Sequence, residues 1–176
     1  MVWKRALLIL IKPAKIWKEV AEKPVSALIL LAGLILPLSA LTSAVNLATD
    51  ELPSDVLLFS ILIYVLTIIG SITGGGYLIW RLSPRFFSQG SYLDVLNLAA
   101  FSYIAVFIAL IVSSLHHHLD VLKLLGLYSV YIYWQGLTYM LKTPVERKTG
   151  FTLISAIILT GCGYLVNIIM EAVIFG

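Results

Sequence analysis

Four groups of residues in this chain have types and spacings that bear on chemistry. His116, His117 and His118, followed by Asp120, offer the nitrogen and oxygen ligands that zinc accepts. Adjacent side chains point in different directions on a helix, however, whereas zinc sites draw converging ligands from separated positions. A solvated turn is the simpler reading, and a pH-sensitive turn has no further support. The run Gly70-x-x-x-Gly74 through Gly76 has the glycine density of a phosphate loop but lacks its lysine and spacing, so close helix packing is the better account. The last two groups are polar lines within apolar stretches. Tyr128, Tyr131, Gln135, Tyr139 and Lys142 follow helical spacing, as do Thr160, Tyr164, Asn167 and Glu171.

No reaction follows from these groups. The chain has no HExxH, no paired aspartates in facing helices and no serine–histidine arrangement with credible geometry. It is therefore expected to be non-enzymatic and to need no cofactor or resident metal. Cys162 is the single cysteine, so no intrachain disulfide forms.

The elements that must position these residues are membrane helices. Of 176 residues, 60% are hydrophobic and 12% charged, and mean hydropathy is +1.00. Those are values of a membrane protein rather than of a water-soluble core. A span takes roughly 20 apolar residues, so about five fit with short loops and no separate soluble domain. The expected spans are about Val25–Asn46, Val56–Trp80, Leu93–Leu115, the tyrosine-rich stretch from Leu124 to Lys142, and Gly150–Phe175. Pro37 predicts a kink in the first, and Ser39-x-x-x-Ser43 predicts close approach of a neighbour. Ser91-x-x-Asp94 reads as a cap opening the third. Asn97, one turn deeper, needs a partner inside the bilayer.

Asn97, Tyr128, Tyr131, Gln135, Thr160, Tyr164 and Asn167 are thus predicted as buried intramembrane polar residues. Spans four and five are neighbours because their connection is short. Taking that connection as the axis of a hairpin sets Gln135 near Thr160 and Tyr128 near Asn167. These groups are expected to hydrogen-bond across the interface or to line a small water-filled space. No internal repeat of the inverted-transporter kind is visible.

Residues 1–24 form a separate amphipathic segment on the cytoplasmic face, ahead of a five-helix domain over 25–176. Its apolar run ALLILI is too short for a signal peptide and ends at Lys12-Pro13 without a cleavage site, so it is read as retained. Between Pro13 and Pro24, Ile16, Trp17, Val20 and Ala21 share one face, and Lys15, Lys18, Glu19 and Glu22 lie opposite. Such a helix fits the membrane interface with Trp17 at headgroup depth, and equally fits packing on the bundle's own cytoplasmic side. Lys15–Glu19, Lys18–Glu22 and Glu19–Lys23 stand at i,i+4.

Basic residues decide orientation. Lys4, Arg5, Lys12, Lys15, Lys18 and Lys23 precede span one. Arg81 and Arg85 follow span two, and Lys142, Arg147 and Lys148 follow span four. With five crossings, eleven of the 12 lysines and arginines share one side, and only Lys123 lies opposite. The N-terminus is expected in the cytoplasm and the C-terminus outside. That placement also explains the positive charge without nucleic acid.

Three stretches, IKPAKIWKEVAEKP, SPRFFSQGSYLDVLNLAAFSY and LGLYSVYIYWQGLTYMLKTPVERK, together with the spacing of the spans, resemble the Yip1 domain family of five-span membrane proteins. The family pattern has a proline soon after the tyrosine of its third span, where this chain has Tyr103-Ile104-Ala105, leaving a kink there without its usual cause. The resemblance implies an all-α integral membrane protein with an interfacial N-terminal helix and a non-enzymatic role. Eukaryotic relatives are associated with vesicle trafficking and with Rab-type GTPases through a longer N-terminal region. The short segment ahead of span one gives a GTPase little platform. Membrane lipids, other membrane proteins or a second copy of the chain are the expected partners. The alternative is a small transporter or channel component using the polar lines of spans four and five.

Overall fold

In a computed structural model of the chain, the described residues are 2–47, 54–114 and 124–175, and they form helices joined by short loops with no strand among them. The order is α1 (Val2–Leu8), α2 (Pro13–Glu22), α3 (Ala27–Leu30), α4 (Leu36–Leu47), α5 (Ser54–Gly70), α6 (Gly76–Leu82), α7 (Tyr92–Ser114), α8 (Tyr128–Met140) and α9 (Val145–Phe175). Among the described residues, four continuous helical stretches are long and apolar enough to cross a membrane: Ala27–Leu47, Val56–Phe86, Tyr92–Ser114 and Val145–Val173. The fourth expected span is not among them. Its helix, α8, has 13 residues, roughly 20 Å at 1.5 Å per residue, against a hydrocarbon core of about 30 Å.

Two of the long stretches contain a π-helical turn, and each has a sequence cause. Leu31–Ile35 joins α3 to α4, with the Leu36 N–H reaching back to the Leu31 carbonyl just before Pro37. Proline lacks the N–H needed to continue regular pairing, and the wider turn accommodates that loss. Ser71–Gly75 joins α5 to α6 where the glycines cluster. α7 has no such break and runs for 23 residues through Tyr103-Ile104-Ala105.

α7 is the centre of the bundle, with 67% of its apolar window buried, against 17% in the second and last of these stretches. α8, α4 and α6 pack around it, and α9 lies mainly along α5 and the π turn that follows it. Leu30, Leu34, Ile72, Ile79, Leu98, Phe101, Phe107, Ile132 and Phe151 fill the core. Lipid tails are as apolar as leucine, so close packing and interhelical hydrogen bonds, rather than removal from water, hold such helices together.

The small residues act on that principle, though in a different register from the sequence motif. A Cβ on Gly70 would meet Val166 at 2.8 Å, and one on Gly75 would meet Leu159 at 3.0 Å; Gly74 has nothing within 4 Å. The π turn carries one extra residue, so the helix face that begins at Gly70 continues at Gly75. Between them Ser71 Oγ donates to the Leu159 carbonyl at 2.6 Å and lies 3.1 Å from the Tyr103 hydroxyl. Ser39 and Ser43 are both buried, as close approach requires.

The cap of α7 forms as its spacing predicts. Ser91 N–H and Oγ donate to Asp94 Oδ2 at 2.7 and 2.8 Å, and the Asp94 N–H returns to Ser91 Oγ at 3.3 Å. On the same side, the connection after α6 and the connection after α8 are latched together. The Gln89 N–H donates to the Leu141 carbonyl at 2.7 Å, and the Ser88 and Thr143 hydroxyls are 2.8 Å apart.

Candidate functional site

The N-terminal residues build the most charged surface of the molecule. α1 and α2 form a helical hairpin set against α7 and α8. Pro13 occupies the first turn of α2, where its missing N–H costs nothing. α2 then runs alongside α8 in the same direction. The Tyr128 hydroxyl donates to the Leu10 carbonyl at 3.1 Å, and Trp17 Nε1 donates to the Ile132 carbonyl at 3.0 Å. The Lys18 ammonium stands 5.9 Å from the centre of the Tyr139 ring.

Trp17 is the anchor of this hairpin. It is fully buried, meets Phe101 edge-on at 6.1 Å, and lies over Gly136. A Cβ on Gly136 would stand 2.7 Å from the indole and would also strike Leu98. Ile16 and Val20 are buried on the same face. Trp17 is thus packed inside the bundle, with no face left for lipid. Interhelical contact with α7 and α8 offers the indole both a snug slot and a carbonyl acceptor, which headgroups do not supply together.

Asn97 completes the attachment. Its Oδ1 accepts from the Val25 N–H at 3.0 Å, and its Nδ2 donates to the Val25 carbonyl at 2.9 Å and to the Leu93 carbonyl at 2.9 Å. The side chain is fully buried, and both amide hydrogens and the oxygen are used. Arg5 Nη1 donates to the Lys23 carbonyl at 3.0 Å, tying the base of α1 to the end of α2.

The other polar residues are placed as follows. Tyr128 and Gln135 are half-buried, and Gln135 Nε2 donates to the Tyr131 hydroxyl at 2.8 Å within α8 itself. Tyr131, Thr160 and Tyr164 are exposed on the outer surface, contrary to the expectation of buried lines. Gln135 does not bond Thr160, and Tyr128 does not bond Asn167. The reason is register: α9 begins at Val145, so Trp134 faces Lys148, whose ammonium lies 3.4 Å from the ring centre. Beyond Leu159, α9 follows α5, leaving Asn167 beside Ser43, Tyr64, Thr67 and Glu171 around a pocket of about 340 Å³. Facing α8, a second pocket of about 250 Å³ includes Ser102, Tyr103, Tyr133, Thr152 and Thr160.

The basic residues differ in availability. Lys12, Lys15, Lys18, Arg81, Arg85, Lys142 and Arg147 are exposed, with Arg147 set 5.6 Å from the Phe87 ring. Lys148 is buried over Trp134 and adds little to an accessible surface, a correction to its expected place among the free cations. Among the described residues, none of the three i,i+4 pairs along α2 forms an ion pair, so Lys15 and Glu19 keep their charges for other partners. His116, His117, His118 and Asp120 lie outside the described residues. Among those that are described, no three His, Cys, Asp or Glu side chains gather as a metal site would require.

One feature of this surface was not legible in the amphipathic pattern of α2. Along α1 and the turn that follows it, Trp3, Leu7 and Ile11 are exposed apolar residues at i, i+4 and i+8. Lys4, Arg5 and Lys12 stand beside them, across a groove from Lys15 and Glu19. The spacing of Trp3, Leu7 and Ile11 is itself the signal, obscured by a run in which nearly every residue is apolar.

A helical bundle with several membrane-length apolar helices and a cationic hairpin packed along α8 is an integral, multi-pass membrane protein. The Yip1 domain matches residues 7–167, nearly the whole chain, and the protein belongs to that family. None of the curated proteins and none of the solved structures matches it.

Proposed function

We propose that this protein is a non-enzymatic organiser of its own membrane, binding anionic lipid and neighbouring membrane proteins, or a second copy of itself, through the cationic face of the α1–α2 hairpin. The observation that carries the reading is the attachment of that hairpin: Trp17, Tyr128 and Asn97 fix a charged segment rigidly to the bundle. A segment serving only to set topology needs its charges but no such anchoring.

In this reading the chain crosses five times, with α8 and the turn at 124–127 as the short fourth crossing. The N-terminus is cytoplasmic and the C-terminus outside. The same arrangement sets the hairpin cations Lys12, Lys15 and Lys18 toward anionic lipid, where each basic residue contributes about 1 kcal/mol. A transport role gains no support from the polar lines of α8 and α9, because they diverge instead of enclosing a common path. Purification in nanodiscs of anionic and of zwitterionic lipid tests the proposal. Enrichment of anionic lipid or of a membrane-protein partner is expected; neither lipid preference nor partner would contradict it.

A further inference from the structure

We infer that the groove between α1 and α2 is a binding site for the phosphate of an anionic phospholipid, with the acyl chains lying along Trp3, Leu7 and Ile11. The inference deepens the proposed function and rests on its anionic-lipid reading. The groove encloses about 370 Å³, and its walls carry Lys4, Arg5, Lys12 and Lys15 against the single carboxylate of Glu19. Leu8 and Ile16 form an apolar floor. None of these cations has an ion-pair partner among the described residues, and only Arg5 donates a hydrogen bond, to Lys23.

Depth makes this arrangement demanding. The tip of the hairpin reaches Tyr128, at the far end of α8 from Met140, so Lys12 and Lys15 stand level with helix that the membrane surrounds. Ammonium groups there are costly unless they meet water or counter-charge. A phosphate answers the four cations, and the exposed Trp3–Leu7–Ile11 line beside it meets hydrocarbon. Charge and apolar surface side by side on one hairpin match a phospholipid at both of its ends. A soluble anion would use only the first.

The experiment uses the full chain in nanodiscs of equal phosphatidylglycerol and phosphatidylcholine, with native mass spectrometry counting the lipids retained on release. Wild type should retain phosphatidylglycerol preferentially, and Lys12→Gln with Lys15→Gln should reduce that enrichment by about fivefold for each lysine removed. Both side chains are exposed, so the variant keeps the packing of the fold. Arg81→Gln with Arg85→Gln, on the same membrane side but outside the groove, should change it little. If enrichment survives in the lysine pair and falls in the arginine pair, the groove assignment is overturned while the anionic-lipid reading stands. If wild type shows no enrichment, both fall. Loss of the enrichment in millimolar inorganic phosphate would replace the phospholipid by a free-phosphate site.

Discussion

Trp17 and Gly136 fill one space from opposite sides: the indole of α2 lies where any side chain at Gly136 of α8 would project. The same indole donates to the Ile132 carbonyl, one turn earlier on α8. A helix-interior glycine costs up to about 1 kcal/mol against alanine, and here that cost admits an aromatic anchor. The N-terminal hairpin is therefore an integral piece of the bundle, held by packing as well as by charge.

Gly136→Ala should displace Trp17 and destabilise the fold by about 1–3 kcal/mol, as overpacking does. Trp17→Ala should cost about 3–5 kcal/mol through the void it leaves. Thermal unfolding in detergent measures both, and limited proteolysis should show earlier cleavage in residues 9–25. An unchanged Gly136→Ala protein would mean that the indole is not seated there.

Asn97→Ala should leave the Val25 peptide without its two side-chain partners, at a cost of about 1–3 kcal/mol. Hydrogen exchange at the Val25 amide reads the change directly, with protection expected in wild type and lost in the variant. Asn97→Asp retains the acceptor and loses both donors, so it should keep part of the amide protection. Equal protection in all three proteins would remove the clamp.

The glycines of the second span should separate sharply. Gly70→Ala places a methyl against Val166 and should destabilise by about 1–3 kcal/mol. Gly74→Ala meets nothing and should be neutral or stabilising by about 0.4–1 kcal/mol. Unfolding midpoints of the two variants compare them. The opposite order would show that the π turn does not set the contact face.

Lys142, two residues past the end of α8, has φ 50°, in the left-handed region that residues other than glycine tolerate poorly. The Thr143 N–H returns from there to the Leu137 carbonyl at 3.1 Å. Lys142→Gly should raise stability by about 1 kcal/mol, seen as a higher unfolding midpoint. A lower midpoint would mean that the lysine side chain contributes more than its backbone costs.

What could be read in advance follows the range of the forces involved. The Ser91–Asp94 cap is local, and three residues of sequence contain all of it. The demand of Asn97 for a partner was equally visible, but the partner is the backbone of Val25, 72 positions away, which no side-chain pattern marks. Gly70-x-x-x-Gly74 announced close packing correctly; its contact face shifted to Gly75 because a π turn changes the periodicity from which the motif is read. The polar lines of α8 and α9 failed for a similar reason. Their pairing assumed a crossing that starts near Gly150, whereas α9 begins at Val145 and leaves α8 for α5. Trp17 fitted two environments equally, and only the slot made by Gly136, Leu98 and Phe101 distinguishes them.

The proposed topology has an odd number of crossings, with the hairpin and the cationic loops on one side. Single-cysteine variants in a Cys162→Ser background test it through labelling of intact cells by a membrane-impermeant thiol reagent. Glu22→Cys, Arg85→Cys and Glu146→Cys should stay unlabelled until the membrane is opened, while Glu171→Cys should label at once. Glu171→Cys protected together with Glu22→Cys would place both ends of the chain in one compartment and rule out an odd number of crossings.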